Sequence, residues 1–124
     1  MKPQFIIGAA SSGSGKTTFT MGLLRALAHR GMKVQPYKCG PDYIDTQFHS
    51  LASGNVSVNL DTWLASEGHV RSLYHSYGKD ADVCVVEGVM GLYDGYSGMK
   101  GSSAAMAALL DIPVILLVNA RSTA

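Results

Sequence analysis

A glycine-rich segment between a predicted strand and a predicted helix constrains the fold more than any other feature of the sequence. Residues 10–18 match the pattern G-x-x-x-x-G-K-[ST], except that an alanine stands in place of the first glycine. In this pattern, backbone N–H groups and a helix N-terminus surround phosphate groups. We therefore expect a nucleotide phosphate to be bound by Ser12, Gly13, Ser14, Gly15, Lys16, Thr17 and Thr18.

Each part of this pattern has a physical task. Gly13 and Gly15 carry no Cβ, so the backbone can come close to an anion. Lys16 supplies a positive charge for the terminal phosphates, and Thr17 offers a hydroxyl ligand for Mg²⁺. A flexible glycine–serine linker is the alternative, and the apolar run before the segment and the helical pattern after it argue against that alternative.

Composition excludes several classes of protein. The chain has 124 residues, 47% of them hydrophobic and 15% charged, which is typical of a folded domain or part of one. A net charge of +1 without a basic cluster gives no reason to expect nucleic-acid binding. No apolar stretch has membrane-spanning length and no signal-peptide pattern is visible, so we expect no membrane association and a cytoplasmic protein.

Apolar patterning predicts alternating strands and helices. Strands are predicted over 4–8, 33–37, 82–86 and 113–118, and helices over 16–30, 66–78 and after Ser102 or Ser103. Residues 39–60 show no sustained period and are predicted to be a long loop, with Leu60 and Trp63 packing in the core below it. Such alternation predicts an α/β fold with three layers and a mostly parallel sheet, of the P-loop NTPase type. Because the sequence ends soon after a central-type strand, we expect it to be the N-terminal part of something longer.

Charged residues follow the second predicted strand, at the sheet edge where ligands of parallel sheets bind. Asp42 and Asp45 can hold Mg²⁺ directly or through water, and Lys38 can contact a phosphate or a substrate carboxylate. The alternative for Asp42 is a local turn in which its side chain accepts backbone hydrogen bonds. We expect Lys38, Asp42 and Asp45 to be catalytic, together with Lys16 and Glu87.

Further polar residues lie at or near the same edge. Glu87 ends an apolar strand and has the position of a carboxylate that binds the nucleotide's metal, although a buried carboxylate with a structural role is the alternative. Asp94 lies on a glycine-rich loop suited to a second substrate, with a solvated turn an equal alternative. For His49, a structural role and substrate binding remain equally open. Cys39 and Cys84 have no metal-ligand spacing, and Cys84 is expected to be a small core residue.

Four segments together resemble the N-terminal synthetase domain of the cobyrinic acid a,c-diamide synthase family. They read S-S-G-S-G-K-T-T, K-C-G-P-D-Y-I-D, N-L-D-T-W and V-E-G-V-M-G-L-Y-D-G, and the resemblance extends over essentially the whole chain. It implies that ATP and Mg²⁺ are used to phosphorylate the a- and c-acetate carboxylates of a corrinoid, after which ammonia displaces phosphate. It also implies that the ammonia comes from glutamine, hydrolysed in a C-terminal amidotransferase domain that is absent from these residues, and it permits a homodimer.

The resemblance also assigns residues. It implies that Asp42, Asp45 and Glu87 handle metal and nucleotide together with the phosphate loop, with Thr17, Asp42 and Glu87 as metal ligands. It further implies that the corrinoid contacts Tyr43, Ile44 and Asp94.

Related families fit less well or remain open. Cobyric acid synthases carry an asparagine-rich segment in place of G-P-D-Y-I-D, and dethiobiotin synthetases lack the long E-G-V-M-G-L-Y-D-G segment. An enzyme that amidates a nickel-containing sirohydrochlorin would look much the same, so the tetrapyrrole stays open. Switch ATPases of the MinD/ParA type carry an additional lysine where Ser11 stands here, and a GTPase would carry an N-K-x-D motif where Asn119 is followed by Ala-Arg-Ser.

Overall fold

The computed structural model describes residues 2–11 and 15–120. Nine helices and strands alternate along these residues. In chain order they are β1 (Gln4–Ala9), α1 (Lys16–His29), β2 (Val34–Cys39), α2 (Asp45–Ser53), β3 (Val58–Leu60), α3 (Glu67–Gly78), β4 (Val83–Glu87), α4 (Ser103–Leu110) and β5 (Val114–Leu117).

The strands form one sheet in the order β3-β2-β4-β1-β5, and every neighbouring pair is parallel. The predicted α/β class with a parallel sheet is therefore confirmed. Five strands are present in the described residues, whereas the apolar pattern predicts four. β4 lies between β1 and β2, so the carboxyl ends of these three strands are side by side at the centre of one edge.

Apolar residues cover both faces of the sheet, as a three-layer fold requires. Successive residues of β1 enter different clusters: Ile6 packs with Val70 of α3 and Met106 of α4, whereas Ile7 packs with Leu24 of α1. The continuous apolar run of β4 follows from this, because a strand buried on both faces has no reason to alternate. Helices α3 and α4 thus lie on one face and α1 on the other.

The predicted loop over residues 39–60 is wrong in part, because it contains helix α2 and the short strand β3. The buried positions of α2 are Thr46, His49 and Ser53, which have helical spacing but are polar. A search for apolar periodicity cannot detect such a helix. α2 ends at Gly54, whose φ of 79° lies in the left-handed region that glycine adopts without strain.

The predicted helix starts agree with the structure, and one predicted core residue does not. Ser66 caps α3 by accepting a hydrogen bond from the backbone N–H of His69, and Ser102 caps α4 in the same manner. Leu60 is buried as predicted, but Trp63 is 65% exposed and meets Tyr96 edge to face with 4.8 Å between ring centroids. Both cysteines are buried and free. No helix within the described ranges combines the length and the apolar character that crossing a membrane requires.

Candidate active site at the carboxyl ends of three strands

The sheet register places two charged side chains opposite each other at one edge. Lys38 is the penultimate residue of β2 and Glu87 is the last residue of β4, and the two are paired across the parallel strands. β1 ends beside them and leads into the phosphate-loop segment, since Ile7 pairs with Glu87 on the other side. The site therefore lies where ligands bind in parallel α/β sheets.

Lys38 carries a positive charge at this site although its side chain is almost completely buried. Its Nζ donates to Glu87 Oε2 at 2.8 Å, to Asp45 Oδ2 at 2.9 Å and to the carbonyl oxygen of Gly88 at 3.2 Å. Asp42 Oδ2 is 3.9 Å from the same nitrogen. Burial by itself would lower the pKa of Lys38, but the carboxylates of Glu87 and Asp45 raise it above its usual value, so the ammonium form is stabilised.

Glu87 is fully buried and accepts hydrogen bonds on both carboxylate oxygens. Thr17 Oγ1 donates to Oε2 at 2.9 Å, beside the Lys38 ammonium, and His49 Nε2 lies 2.7 Å from Oε1. Burial alone would raise the pKa of this carboxyl, but the His49 hydrogen bond and the Lys38 charge lower it to about 2. Glu87 is consequently a carboxylate at neutral pH, joined directly to the phosphate-loop helix through Thr17.

The two aspartates that follow β2 differ in their roles. Asp42 Oδ1 accepts from the backbone N–H groups of Ile44 and Asp45, each at 2.9 Å, so it holds the start of α2 in the local turn that the sequence left open. Its other oxygen faces Lys38. Asp45 uses its carboxylate for Lys38 and is partly exposed, with 20% of its side chain accessible.

Lys16 begins α1, directly after Gly15, whose φ of 79° again requires the left-handed region. Partial burial and the nearby Lys38 ammonium lower the pKa of Lys16, while Glu87 and Asp45 oppose that shift. The charges of Lys16, Lys38, Glu87 and Asp45 thus influence one another at this edge. Ser12, Gly13 and Ser14, the remaining predicted phosphate-loop residues, lie outside the described residues.

The residues predicted to contact a second substrate lie around this cluster without joining it. Tyr43 and Ile44 are 71% and 69% exposed at the beginning of α2. Asp94 is exposed, and its Oδ2 accepts from the backbone N–H of Gly91, which agrees with the turn alternative. The Asp94 loop is nevertheless close to β1, because the backbone N–H of Leu92 donates to the carbonyl of Ala9 at 2.8 Å. Thr18 is exposed on α1.

The contacts of two site residues, His49 and Asn59, could not be predicted from the sequence. His49 contacts Glu87 from α2, and a helical prediction for residues 45–53 would have placed it one turn after Asp45 on the same face. Asn59 on β3, oriented with its amide nitrogen toward the loop, donates to the carbonyl oxygens of Gly40 and Asp42 at 3.0 Å each. It therefore holds the loop that carries Asp42.

The donor atoms at the site suit a hard cation. Thr17 and Glu87 present a hydroxyl and a carboxylate oxygen 2.9 Å apart, and Asp42 directs a second carboxylate to the same edge. Within residues 2–11 and 15–120, no group of three His, Cys, Asp or Glu side chains is arranged as a complete metal site. Mg²⁺ does not require one, since it usually binds through one or two carboxylates, waters and substrate phosphates.

Comparison with known sequences defines the family. The sequence family described as the CobQ/CobB/MinD/ParA nucleotide binding domain matches residues 5–122. The chain belongs to this family. The described part of the match includes Lys38, Glu87 and all five strands except Gln4, the first residue of β1.

Individual relatives of this CobQ/CobB/MinD/ParA domain confirm the more specific resemblance seen in the sequence. This chain is 54% identical over 119 residues to a cobyrinate a,c-diamide synthase of Dehalococcoides mccartyi strain CBDB1. The match covers 94% of this chain and 26% of that protein. It is 50% identical over 122 residues to a hydrogenobyrinate a,c-diamide synthase of Streptomyces coelicolor, covering 97% of this chain and 25% of that protein. The chain thus spans about a quarter of the length of these relatives.

Solved structures with a similar fold have quite different sequences. The signal recognition particle receptor FtsY of Elizabethkingia anophelis in complex with GDP superimposes with a TM-score of 0.62 at 19% identity, over 94% of this chain and 40% of that one. The signal recognition particle 54 kDa protein of Aeropyrum pernix, also with GDP, gives 0.57 at 18% identity, over 94% of this chain and 29% of that one. At such low sequence identities, the structural similarity shows a common fold and nothing more.

Proposed function

We propose that this chain is the N-terminal part of the ATP-binding synthetase domain of an amidating enzyme. In this proposal, ATP and Mg²⁺ are used to phosphorylate the a- and c-carboxylates of cobyrinic or hydrogenobyrinic acid in cobalamin biosynthesis. Ammonia then replaces the phosphate and leaves an amide. The observation that carries the proposal is the shared contact of Thr17 and Lys38 with Glu87 Oε2, which joins the phosphate-loop helix to the acidic residues after β2.

The charges of the site suit phosphoryl transfer to a carboxylate. Such a transfer depends on positioning and on neutralising the negative charge of the transferring group. Lys16 supplies positive charge from the phosphate-loop side, and Lys38 supplies it from β2. Thr17, Glu87 and Asp42 would hold Mg²⁺, which when bound draws together the phosphate oxygens and offsets their charge.

The chemistry requires no general base for the first step. The nucleophile is a substrate carboxylate, which is already ionised at neutral pH. One of its oxygens forms a bond to the terminal phosphorus while the bond from that phosphorus to the ADP oxygen breaks, giving an acyl phosphate. Nitrogen of ammonia then attacks the acyl carbon, inorganic phosphate leaves and the nitrogen loses a proton to solvent. Lys38, with its pKa raised by Glu87 and Asp45, serves as a fixed cation in this scheme.

The exposed residues around the cluster give the proposed tetrapyrrole a place to bind. Tyr43 and Ile44 present apolar side chains to solvent beside Asp42, and the loop of Asp94 passes next to the end of β1. We assign these three residues to corrinoid binding. The glutaminase domain that supplies ammonia, a homodimer, a cytoplasmic location and the absence of nucleic-acid and membrane partners belong to the same proposal.

The test is an amidation assay on a complete enzyme that contains this sequence. Corrinoid and sirohydrochlorin acids are offered with ATP, Mg²⁺ and glutamine, and each amide is read by mass spectrometry. We expect two amides on cobyrinic or hydrogenobyrinic acid, and Lys16→Ala should abolish them while glutamine hydrolysis remains measurable. If nickel sirohydrochlorin alone were amidated, the proposed substrate would be that tetrapyrrole instead of a corrinoid. ATP-dependent dimerisation without any amide product would favour a switch of the MinD/ParA type. Native amidation by Lys16→Ala would contradict the phosphate-loop assignment.

A further inference from the structure

Among the described residues, His49 is a buried polar side chain of the site to which the proposed chemistry gives no task. It is fully buried on α2, and it contacts Oε1 of Glu87, whereas Thr17 and Lys38 contact Oε2. Its three fellow histidines, His29, His69 and His75, are exposed on helices. A polar ring is costly to bury unless its nitrogens are hydrogen-bonded, and both nitrogens of His49 have partners.

The direction of the His49–Glu87 hydrogen bond follows from the charge of Glu87. A carboxylate only accepts hydrogen bonds, so the proton between the two residues is carried by Nε2 of the ring. The other ring nitrogen, Nδ1, lies 3.4 Å from the hydroxyl of Ser57. The Ser57 backbone N–H in turn donates at 2.9 Å to Oγ of Ser50, the residue that follows His49 on α2. The ring is therefore held from both ends.

This arrangement divides the two oxygens of Glu87 between two tasks. Oε1 is occupied by His49, whereas Oε2 faces Thr17 and Lys38 on the nucleotide side. A half turn of the carboxylate about its terminal bond only exchanges two equivalent oxygens, whereas any smaller rotation would lengthen the 2.7 Å contact to Nε2 and turn the other oxygen away from Thr17 and Lys38. We propose that His49 is a positioning residue that fixes the Glu87 carboxylate so that Oε2 is directed at Thr17 and at the proposed magnesium ion. The proposal rests on the proposed function, because it assigns Glu87 to the metal.

Partners of this kind have a measurable effect on metal sites. A hydrogen bond to a ligating carboxylate orients it, and removal of such a partner usually lowers metal affinity about 10–100-fold. His49→Leu keeps much of the volume and removes the donor. His49→Gln keeps a donor at a similar distance from the backbone, because its amide nitrogen is also an ε atom. Tyr37→Phe is the matched control, since it removes a different buried hydrogen bond, from Tyr37 to the carbonyl of Tyr74, on the same strand as Lys38.

The experiment titrates Mg²⁺ into the complete enzyme that contains this sequence, in the presence of a saturating fluorescent ATP analogue, after the fold of each variant has been checked by circular dichroism. We expect His49→Leu to raise the Mg²⁺ concentration at half-saturation about tenfold or more. His49→Gln should recover most of the loss, and Tyr37→Phe should match the wild type. Metal-free nucleotide binding should be the same in all four proteins. Unchanged Mg²⁺ dependence in His49→Leu, or equal losses in His49→Gln and His49→Leu, would overturn the positioning role.

A second measurement does not depend on any variant. In nucleotide-free protein labelled with ¹⁵N-histidine, the nitrogen shifts of His49 should show a proton on Nε2, with its resonance displaced downfield by the bond to Glu87. A ring protonated only on Nδ1 would overturn the proposal even if His49→Leu did not fold. Failure of the wild-type chain to bind ATP at all would count against the proposed function instead, so the two results are distinguishable.

Discussion

Lys38 should be essential for stability as well as for the proposed chemistry, and replacement by methionine isolates the first effect. Methionine has a similar length and no charge, so Lys38→Met deletes the ammonium with little change in packing. Glu87 would then remain fully buried without its cation, and Asp45 would lose its ion-pair partner. The free energy of unfolding at neutral pH is the quantity to measure, by denaturant titration followed with far-UV circular dichroism.

The structure sets the expected size of the effect. Breaking a buried ion pair by removing one partner typically costs about 3–5 kcal/mol, because the other charge stays buried. Glu87 keeps its hydrogen bonds from Thr17 and His49, which places the cost near the lower limit. Asp45 is partly exposed and can regain water, so its pair adds no more than about 1 kcal/mol. We expect Lys38→Met to lower the free energy of unfolding by about 3 kcal/mol.

A double-mutant cycle tests the cause of that loss. Glu87→Gln removes the negative charge with little change in shape, so the double variant Lys38→Met/Glu87→Gln leaves no unpaired buried charge between the two positions. The double variant should therefore be more stable than Lys38→Met alone, with a coupling energy of about 2 kcal/mol. Destabilisation by Lys38→Met of less than about 1 kcal/mol, or a coupling energy below about 0.5 kcal/mol, would refute the argument that this pair is the main electrostatic support of the site.

Two further predictions concern Glu87 and the glycine that follows it. Because the pKa of Glu87 is lowered from 4.5 to about 2 in the folded chain, its carboxylate stabilises the fold above about pH 4.5, and this stabilisation is lost as the pH falls toward 2. The difference corresponds to about 3 kcal/mol, so acid should reduce the free energy of unfolding more steeply in the wild type than in Glu87→Gln, and parallel pH curves would contradict the pKa shift. Gly88→Ala would place a Cβ 2.9 Å from the carbonyl oxygen of Ile7 and against Ser103 Oγ, so the thermal midpoint should fall by the equivalent of about 1–3 kcal/mol. Gly22→Ala is its control, since a Cβ there meets nothing within 4 Å on an exposed part of α1, and it should be neutral or stabilising by up to about 1 kcal/mol.

The parts of the fold that could be predicted are those in which burial is apolar. β1 and β4 are continuous apolar runs, and their predicted limits agree with the structure within one residue. The caps Ser66 and Ser102 were visible because serine side chains satisfy the first free N–H groups of a helix. α2 was not visible, because its buried residues are polar and are held by hydrogen bonds to side chains and backbone instead of by apolar contacts.

The site was predictable in its location but not in its connections. The predicted strand ends and the position of the glycine-rich segment were enough to predict that Lys16, Lys38 and Glu87 lie at one edge of the sheet. The structure places them there. Sequence alone could not show that Lys38 bonds to Asp45 and Glu87 at once, since that depends on the sheet register and on α2. The hydrogen bond of His49 depends on the same helix, and its role therefore stayed open until the helix was placed.

The acids of the site differ in burial, and this difference determines what each substitution can report. Glu87 is fully buried and bonded through both oxygens, so any change there disturbs folding and the proposed metal site together. Asp45 is partly exposed and bonds mainly to Lys38. In the Asp45→Asn variant, water can therefore solvate the asparagine side chain at little cost in stability. Because Lys38 shares its hydrogen bonds between these two acids, an anion that approaches from solvent competes with Asp45 before it competes with Glu87. Asp45, the partly exposed acid that is bonded to Lys38, is thus the one whose loss should separate ligand chemistry from stability.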